Sequence, residues 1–152
     1  HEDPEQFPVY TSVLGMRGEA WVDPGKLENL FPVTEQTVAR WRQIYNEKME
    51  TVDNAIALSA REERQLWEAN GAYFIQDGSK LLGIGWLREQ ELLALAVVVP
   101  GAGEVVLQTL LSLVGEQTVT LEVASTNERA IRLYEKLGFV KTEILRSWYC
   151  VQ

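Results

Sequence analysis

Between Val119 and Phe139 the hydrophobic pattern changes period once. Val119, Leu121 and Val123 alternate with Thr120 and Glu122, the two-residue repeat of a strand with one face on a core. After a short polar break, Ala130, Leu133, Tyr134 and Leu137 stand at i, i+3, i+4 and i+7. They share one face of a helix whose other faces carry Glu128, Arg129, Arg132, Glu135 and Lys136. Ser125 with Glu128 has the capping-box spacing, Asn127 is a competing N-cap, and Gly138 stands where a left-handed residue closes a helix.

The same reading predicts the rest of the chain. Thr34 is a fair N-cap for a helix running to about Met49, with Val38, Trp41 and Tyr45 as its stripe. Ser59 and Glu62 repeat the capping-box spacing ahead of Leu66 and Trp67, and Asn70-Gly71 stops that second helix. Glu50 to Leu58 receives no assignment. Strands follow at Ala72 to Gln76, Lys80 to Leu87 and Glu91 to Val99, separated by Asp77-Gly78, a strong hairpin signal, and by Arg88-Glu89-Gln90. Leu92 to Val99 is apolar without alternation, which predicts a central strand covered on both faces. Glu104 to Val114 has little polar face and reads as a largely buried helix. At the ends the pattern is looser: Phe7 to Leu14 as a first strand, Gly15 to Pro24 as strand or loop with a turn at Asp23-Pro24-Gly25, and Val140 to Val151 as a closing hairpin. The element order is that of an α+β domain with a mixed, mostly antiparallel sheet and about four flanking helices.

Length and composition narrow the function classes. A chain of 152 residues, 46% hydrophobic, suits one domain with a real core. It opens on His1 rather than Met, so residues 1–6 read as disordered or as a cloning remnant, or the chain as a piece of something longer, and the domain is placed at 7–152. No apolar run approaches the ~20 residues that cross a bilayer and no leader pattern is seen, so no membrane partner and a cytoplasmic location are expected. Fourteen Lys and Arg stand against 22 acids, net charge −8, which repels a phosphate backbone and argues against nucleic acid. That acidity suits a cationic substrate such as an amine, and equally suits simple solubility. Cys150 is the single cysteine and His1 the single histidine, which leaves no disulfide framework, no Ser-His-Asp triad, no Cys-His pair and no metal site of the usual His or Cys kind.

The run Asn127-x-x-Ala130-x-x-Leu133-Tyr134-x-x-x-Gly138-Phe139, directly after a strand, resembles the second cofactor motif of the GCN5-related N-acetyltransferases, and matches at every characteristic position. Leu121-Glu122-Val123 before it and Arg146-Ser147-Trp148-Tyr149 after it resemble the subgroup that acetylates protein N-termini, the ribosomal-protein-alanine type. The resemblance implies a single acetyltransferase-like domain, acetyl-CoA as co-substrate with no metal, and a small-molecule or peptide amine as acceptor, in a monomer or homodimer. It implies that Tyr134 protonates the departing thiolate, that Glu122 deprotonates the amine through water, and that Asn127 and Ala130 contact the pantetheine arm. Val98-Val99-Pro100 resembles the family's first cofactor motif, in which Ala96, Val97 and Val98 would pair with pantetheine. Acceptor pockets in the family are built by the first strand, the two early helices and the late hairpin.

Each assignment has a plainer alternative. Tyr134 is also an amphipathic tyrosine on a core stripe, Glu122 a solvated residue on a strand's outer face, and Val99-Pro100 an ordinary strand stop. Gly101-Ala102-Gly103 between strand and helix imitates a dinucleotide fingerprint, but the third glycine is Val106, and that reading explains nothing of Asn127 to Phe139. A non-catalytic acyl-CoA-sensing module on the same fold is the remaining alternative. It gains weight where the sequence departs from the family. Aligned back from Leu110-Leu111, the diphosphate loop places Gly103, Glu104, Val105, Val106, Leu107 and Gln108 at positions wanting an arginine and later glycines, and Glu104 brings the wrong charge. Otherwise Gly101, Ala102 and Gly103 form a shortened loop and the helix begins a turn early. Losing two charge-assisted hydrogen bonds at about 1.5 kcal/mol each predicts acetyl-CoA binding weakened roughly a hundredfold.

Overall fold

The computed structural model describes residues 10–20, 22, 25, 27–50 and 57–149. The expectations for residues 1–9, for the Asp23-Pro24 turn and for Cys150-Val151 lie outside these. Three strands form a meander as the pattern predicts: β3 (Ala72–Asp77), β4 (Lys80–Arg88) and β5 (Glu91–Val97). The turn between the first two carries Gly78 at φ +60°. They are preceded by β1 (Tyr10–Glu19) and the short β2 (Asn29–Pro32), and followed by β6 (Thr118–Ala124) and β7 (Val140–Tyr149). All seven join one sheet in the order β2-β3-β4-β5-β6-β1-β7, so β5 is indeed the central strand. Its burial is uneven: Leu92, Ala94 and Ala96 are buried while Leu95 and Val97 are half-buried, because the strand's far end borders an open cleft.

The chain ends differ from the expectation. No hairpin is formed within Val140 to Tyr149; that segment is one strand, antiparallel to β1. β1 runs unbroken past Gly15 to Glu19 and lies between β6 and β7, antiparallel to both. Ser125 helps fasten it, accepting from the Ser12 N–H at 2.9 Å and donating its own N–H to the Ser12 carbonyl at 2.7 Å. Ser125 is therefore not the cap of the following helix. Gly18 of β1 sits directly beneath the ring of Phe139, where an added Cβ would lie 2.7 Å from ring carbons.

Among the described residues four α-helices cover the sheet: α1 (Val38–Met49), α2 (Glu63–Glu68, entered through a 3-10 turn at Ala60–Glu62), α3 (Gly103–Leu111) and α4 (Glu128–Lys136). One core cluster joins α3 and α4 to the sheet through Leu107, Leu110, Leu111, Ile131 and Tyr134 against Met16, Leu92, Leu121 and Val123. A second joins α1 and α2 to it through Trp41 and Leu66 against Phe74, Ile84, Ala94 and Ala96. Trp41, fully buried, donates its indole N–H to the Tyr73 carbonyl at 3.0 Å. The Ser59–Glu62 capping box forms as its spacing predicts. Two glycines of β4 set the approach of α3: a Cβ on Gly83 would meet Val106 at 3.0 Å, and one on Gly85 would collide with Leu110. The helix thus lies closer to the strand than any side chain would allow, and its N-terminus is carried to the end of β5.

Candidate active site

The site begins where two strands part. β5 and β6 pair in parallel only at Glu91 with Thr120 and Leu92 with Leu121, after which the ladder stops although both strands continue. At the far end of β5 the amides of Val98 and Val99 both donate to the Leu82 carbonyl of β4, at 2.8 and 3.3 Å. Alternate residues of a strand turn their backbone groups to opposite edges. Val98 and Ala96 therefore face β4, and Val97 and Leu95 turn theirs into the gap beside β6.

The chain then makes a tight corner. Gly101 adopts φ +85°, a conformation that favours glycine, and Ala102 donates its N–H to the Val99 carbonyl at 3.1 Å. α3 starts at Gly103, a turn earlier than its apolar pattern suggests for the longer loop, so the shortened Gly101-Ala102-Gly103 loop is the one observed. The first N–H to find a helical acceptor is that of Val106, on the Ala102 carbonyl at 3.0 Å. The N–H groups of Gly103, Glu104 and Val105 have none within the helix, the usual basis of anion binding at such an end. Gly103 also permits close packing: a Cβ there would stand 3.2 Å from Leu133 of α4 and 3.6 Å from Val97.

α4 is started by Asn127, whose side-chain oxygen accepts the Ala130 N–H at 3.3 Å, and stopped by Gly138 at φ +94°. These elements enclose a cleft of about 500 Å³. Of the residues singled out from the sequence, Ala96, Val97, Val98, Gly101, Gly103, Glu104, Asn127, Ala130 and Tyr134 line it. Ala102 and Val105 do not; they pack instead with Leu82, Ile75 and Val106 beneath α3. Tyr134 is 7% exposed, its ring tilted against Phe139 at 5.8 Å, and burial raises its hydroxyl pKa above the ordinary 10.

Glu122 lies elsewhere. Val119, Leu121 and Val123 bury into the core that holds Tyr134, so Glu122 is exposed on the opposite face of β6. There it borders a separate hollow of about 380 Å³ with Arg17 of β1, Glu91 and Glu143.

The cleft also holds residues that the pattern did not single out. Lys48 and Met49 come from the end of α1, Leu95 from β5, and Arg129 and Lys136 from α4, beside the motif residue Leu133. Arg129 and Lys136 were visible as polar faces of a helix; what they face depends on how α4 sits against α3. The Lys136 ammonium pairs with the Glu104 carboxylate at 3.1 Å. Among the described residues no group of three or more His, Cys, Asp or Glu is arranged to hold a metal ion, and no helix is long and apolar enough to cross a membrane.

Residues 38–139 match the sequence profile of the acetyltransferase (GNAT) family. The chain belongs to the GNAT family. No curated protein sequence matches it significantly. Solved structures share the fold at low identity. A Drosophila protein is 17% identical with a TM-score of 0.60, matched over 95% of this chain and 52% of its own. A GNAT acetyltransferase from Colwellia psychrerythraea is 15% identical with a TM-score of 0.61, over 91% of this chain and 56% of its own. Spermidine N-acetyltransferase from Vibrio cholerae, solved with CoA and spermine, is 16% identical with a TM-score of 0.62, over 82% of this chain and 87% of its own. The chain therefore spans about half the length of the first two of these. The GNAT match runs from α1 to Phe139 and leaves out β1, β2 and β7, so the placement of β1 between β6 and β7 lies outside it.

Proposed function

We propose that the protein transfers the acetyl group of acetyl-CoA to the nitrogen of a primary amine. The observation that carries this reading is the unpaired edge of β5 at Leu95 and Val97, which opens on a cleft ending at the free N–H groups of α3. An extended amide chain can pair with such an edge, and a diphosphate suits such a helix end. Membership of the GNAT family and the likeness to spermidine N-acetyltransferase support the same chemistry.

In this reading the amine attacks the thioester carbon, the C–N bond forms, the C–S bond breaks, and the nitrogen proton must leave as the sulfur gains charge. Tyr134 serves the sulfur side. Its phenol is a weaker acid than a thiol of pKa ~8.5, so it stays neutral, donates a hydrogen bond to the departing sulfur and passes its proton on only as another replaces it. Glu122 serves the nitrogen side, through water. Tyr134 and Glu122 stand on opposite faces of the sheet, so this assignment requires the thioester to be approached from both faces where β5 and β6 part. Glu91, Glu122 and Glu143 outweigh Arg17 in that hollow, and the acidic excess favours a cationic acceptor, whether small molecule or peptide.

Two measurements test the reading. Acetyl-CoA or CoA raises the melting temperature by mass action, and NAD does not. A panel of amines with acetyl-CoA releases free thiol when one is an acceptor. Stabilisation by NAD alone overturns the assignment of the cleft. One observation, the Glu104 carboxylate in the first turn of α3, favours the non-catalytic acyl-CoA-binding module, and stabilisation by CoA without turnover of any amine would establish it.

A further inference from the structure

The diphosphate end of the cleft has an unusual charge arrangement. From Val98 to Val105 the chain carries no basic residue, and its one charged side chain is Glu104. Positive charge comes from other elements instead: Lys48 on α1, and Arg129 and Lys136 on α4, all bordering the same cleft in a chain of net charge −8. Three cations gathered at one hollow of so acidic a protein suit a polyanion. Lys136 is the one tied to α3. It stands three residues beyond Leu133, which packs against Gly103, so the last turn of α4 is held beside the first turn of α3.

Resting on the cofactor assignment above, we propose that Lys136 is the diphosphate-binding cation of this cleft and that Glu104 is its internal stand-in anion. The Glu104 carboxylate belongs to the turn whose N–H groups lack helical acceptors, where an anion is favoured, and it holds Lys136 at 3.1 Å. The arriving diphosphate displaces the carboxylate, takes over Lys136 and accepts from the freed helix end. The side chains are 69% and 47% exposed, and a pair so well hydrated is weak enough to exchange. Glu104 thus keeps Lys136 oriented towards α3 while lowering affinity for the loaded cofactor, which speeds its release. Ligands lacking the diphosphate do not feel the exchange.

Calorimetry with CoA and with pantetheine, which lacks the diphosphate and nucleotide, tests this on the unmutated chain, Lys136→Met, Lys136→Arg and Glu104→Gln. Lys136→Met should weaken CoA about tenfold or more, the worth of one charge-assisted hydrogen bond, and Lys136→Arg should retain most of the affinity. Glu104→Gln should tighten CoA several-fold. Pantetheine should bind all four forms alike. Equal CoA affinity across the four forms, an equal loss of CoA and pantetheine in Lys136→Met, or weaker CoA binding in Glu104→Gln overturns the inference while leaving the cofactor assignment standing. Absence of CoA binding by every form overturns the assignment itself, and this inference with it.

Discussion

A phenol packed against Phe139 at 7% exposure releases its proton less readily than one in water, and Tyr134 therefore stays protonated at neutral pH. Tyr134→Phe keeps the ring and removes the donor. Turnover should fall roughly 10²-fold or more with little change in acetyl-CoA affinity, as measured by steady-state kinetics beside calorimetry. The same substitution has a stability signature. Because the folded pKa lies above the unfolded value of ~10, the neutral ring contributes stability that is complete below that pH and is lost as pH rises through the folded pKa. Melting curves taken from pH 9 upward should fall less steeply for Tyr134→Phe than for the unmutated chain; parallel curves would mean that the hydroxyl is solvated. For Glu122 the expectation is kinetic only: Glu122→Gln should flatten the acidic limb of the pH–rate profile, and an identical profile removes it from the chemistry. At this scale the sequence was most informative where one residue meets two local requirements, as Asn127 does in capping α4 while bordering the cleft. Glu104 was legible as a charge of the wrong sign. Its partner was not, since Lys136 lies 32 positions away on another helix and tertiary packing, including that of Leu133 near Gly103, brings the two together.

The elements themselves were legible wherever a period of two or 3.6, or an unbroken apolar run, lay between clear stops, as in β3 through α4. Their neighbours were not. A two-residue repeat says which face of a strand is buried, never which strand lies beside it. β1 shows the difference: Phe7 to Leu14 can be read as a strand and Gly15 onward as strand or loop, but nothing local says that β1 lies between β6 and β7, or that Gly18 is small so that Phe139 can rest on it. The seating of α3 follows the same logic, and it decides the reach of the cleft. Gly83 and Gly85 admit Val106 and Leu110, and that approach delivers Gly103 to the end of β5. Gly85→Ala should destabilise the fold by about 1–3 kcal/mol through overpacking against Leu110 and displace α3 from the cleft. Pairing it with Leu110→Val should restore part of the loss. Urea unfolding of the three variants checks both statements, and additive losses would show that the two positions do not share the contact.

At the scale of the whole molecule, two electrostatic effects oppose each other. The chain carries net charge −8, which would repel a polyanion such as CoA from a distance, while on the cofactor assignment proposed above Lys48, Arg129 and Lys136 would attract it at the cleft. Their ranges differ. The Debye length is ~30 Å at 0.01 M salt and ~8 Å at 0.15 M, so added salt first removes the long-range repulsion and weakens contact-distance pairing much less. Association of CoA should therefore speed up as ionic strength rises over that interval, which is the opposite of ordinary steered binding between unlike charges. Dissociation should speed up as well, because the ligand's exposed phosphate contacts are partly screened. Stopped-flow measurement of both rates separates the effects. An association rate that falls with salt would show that the basic rim governs the approach of the cofactor despite the acidic surface around it, and the three cations would then be a steering device as well as a binding one.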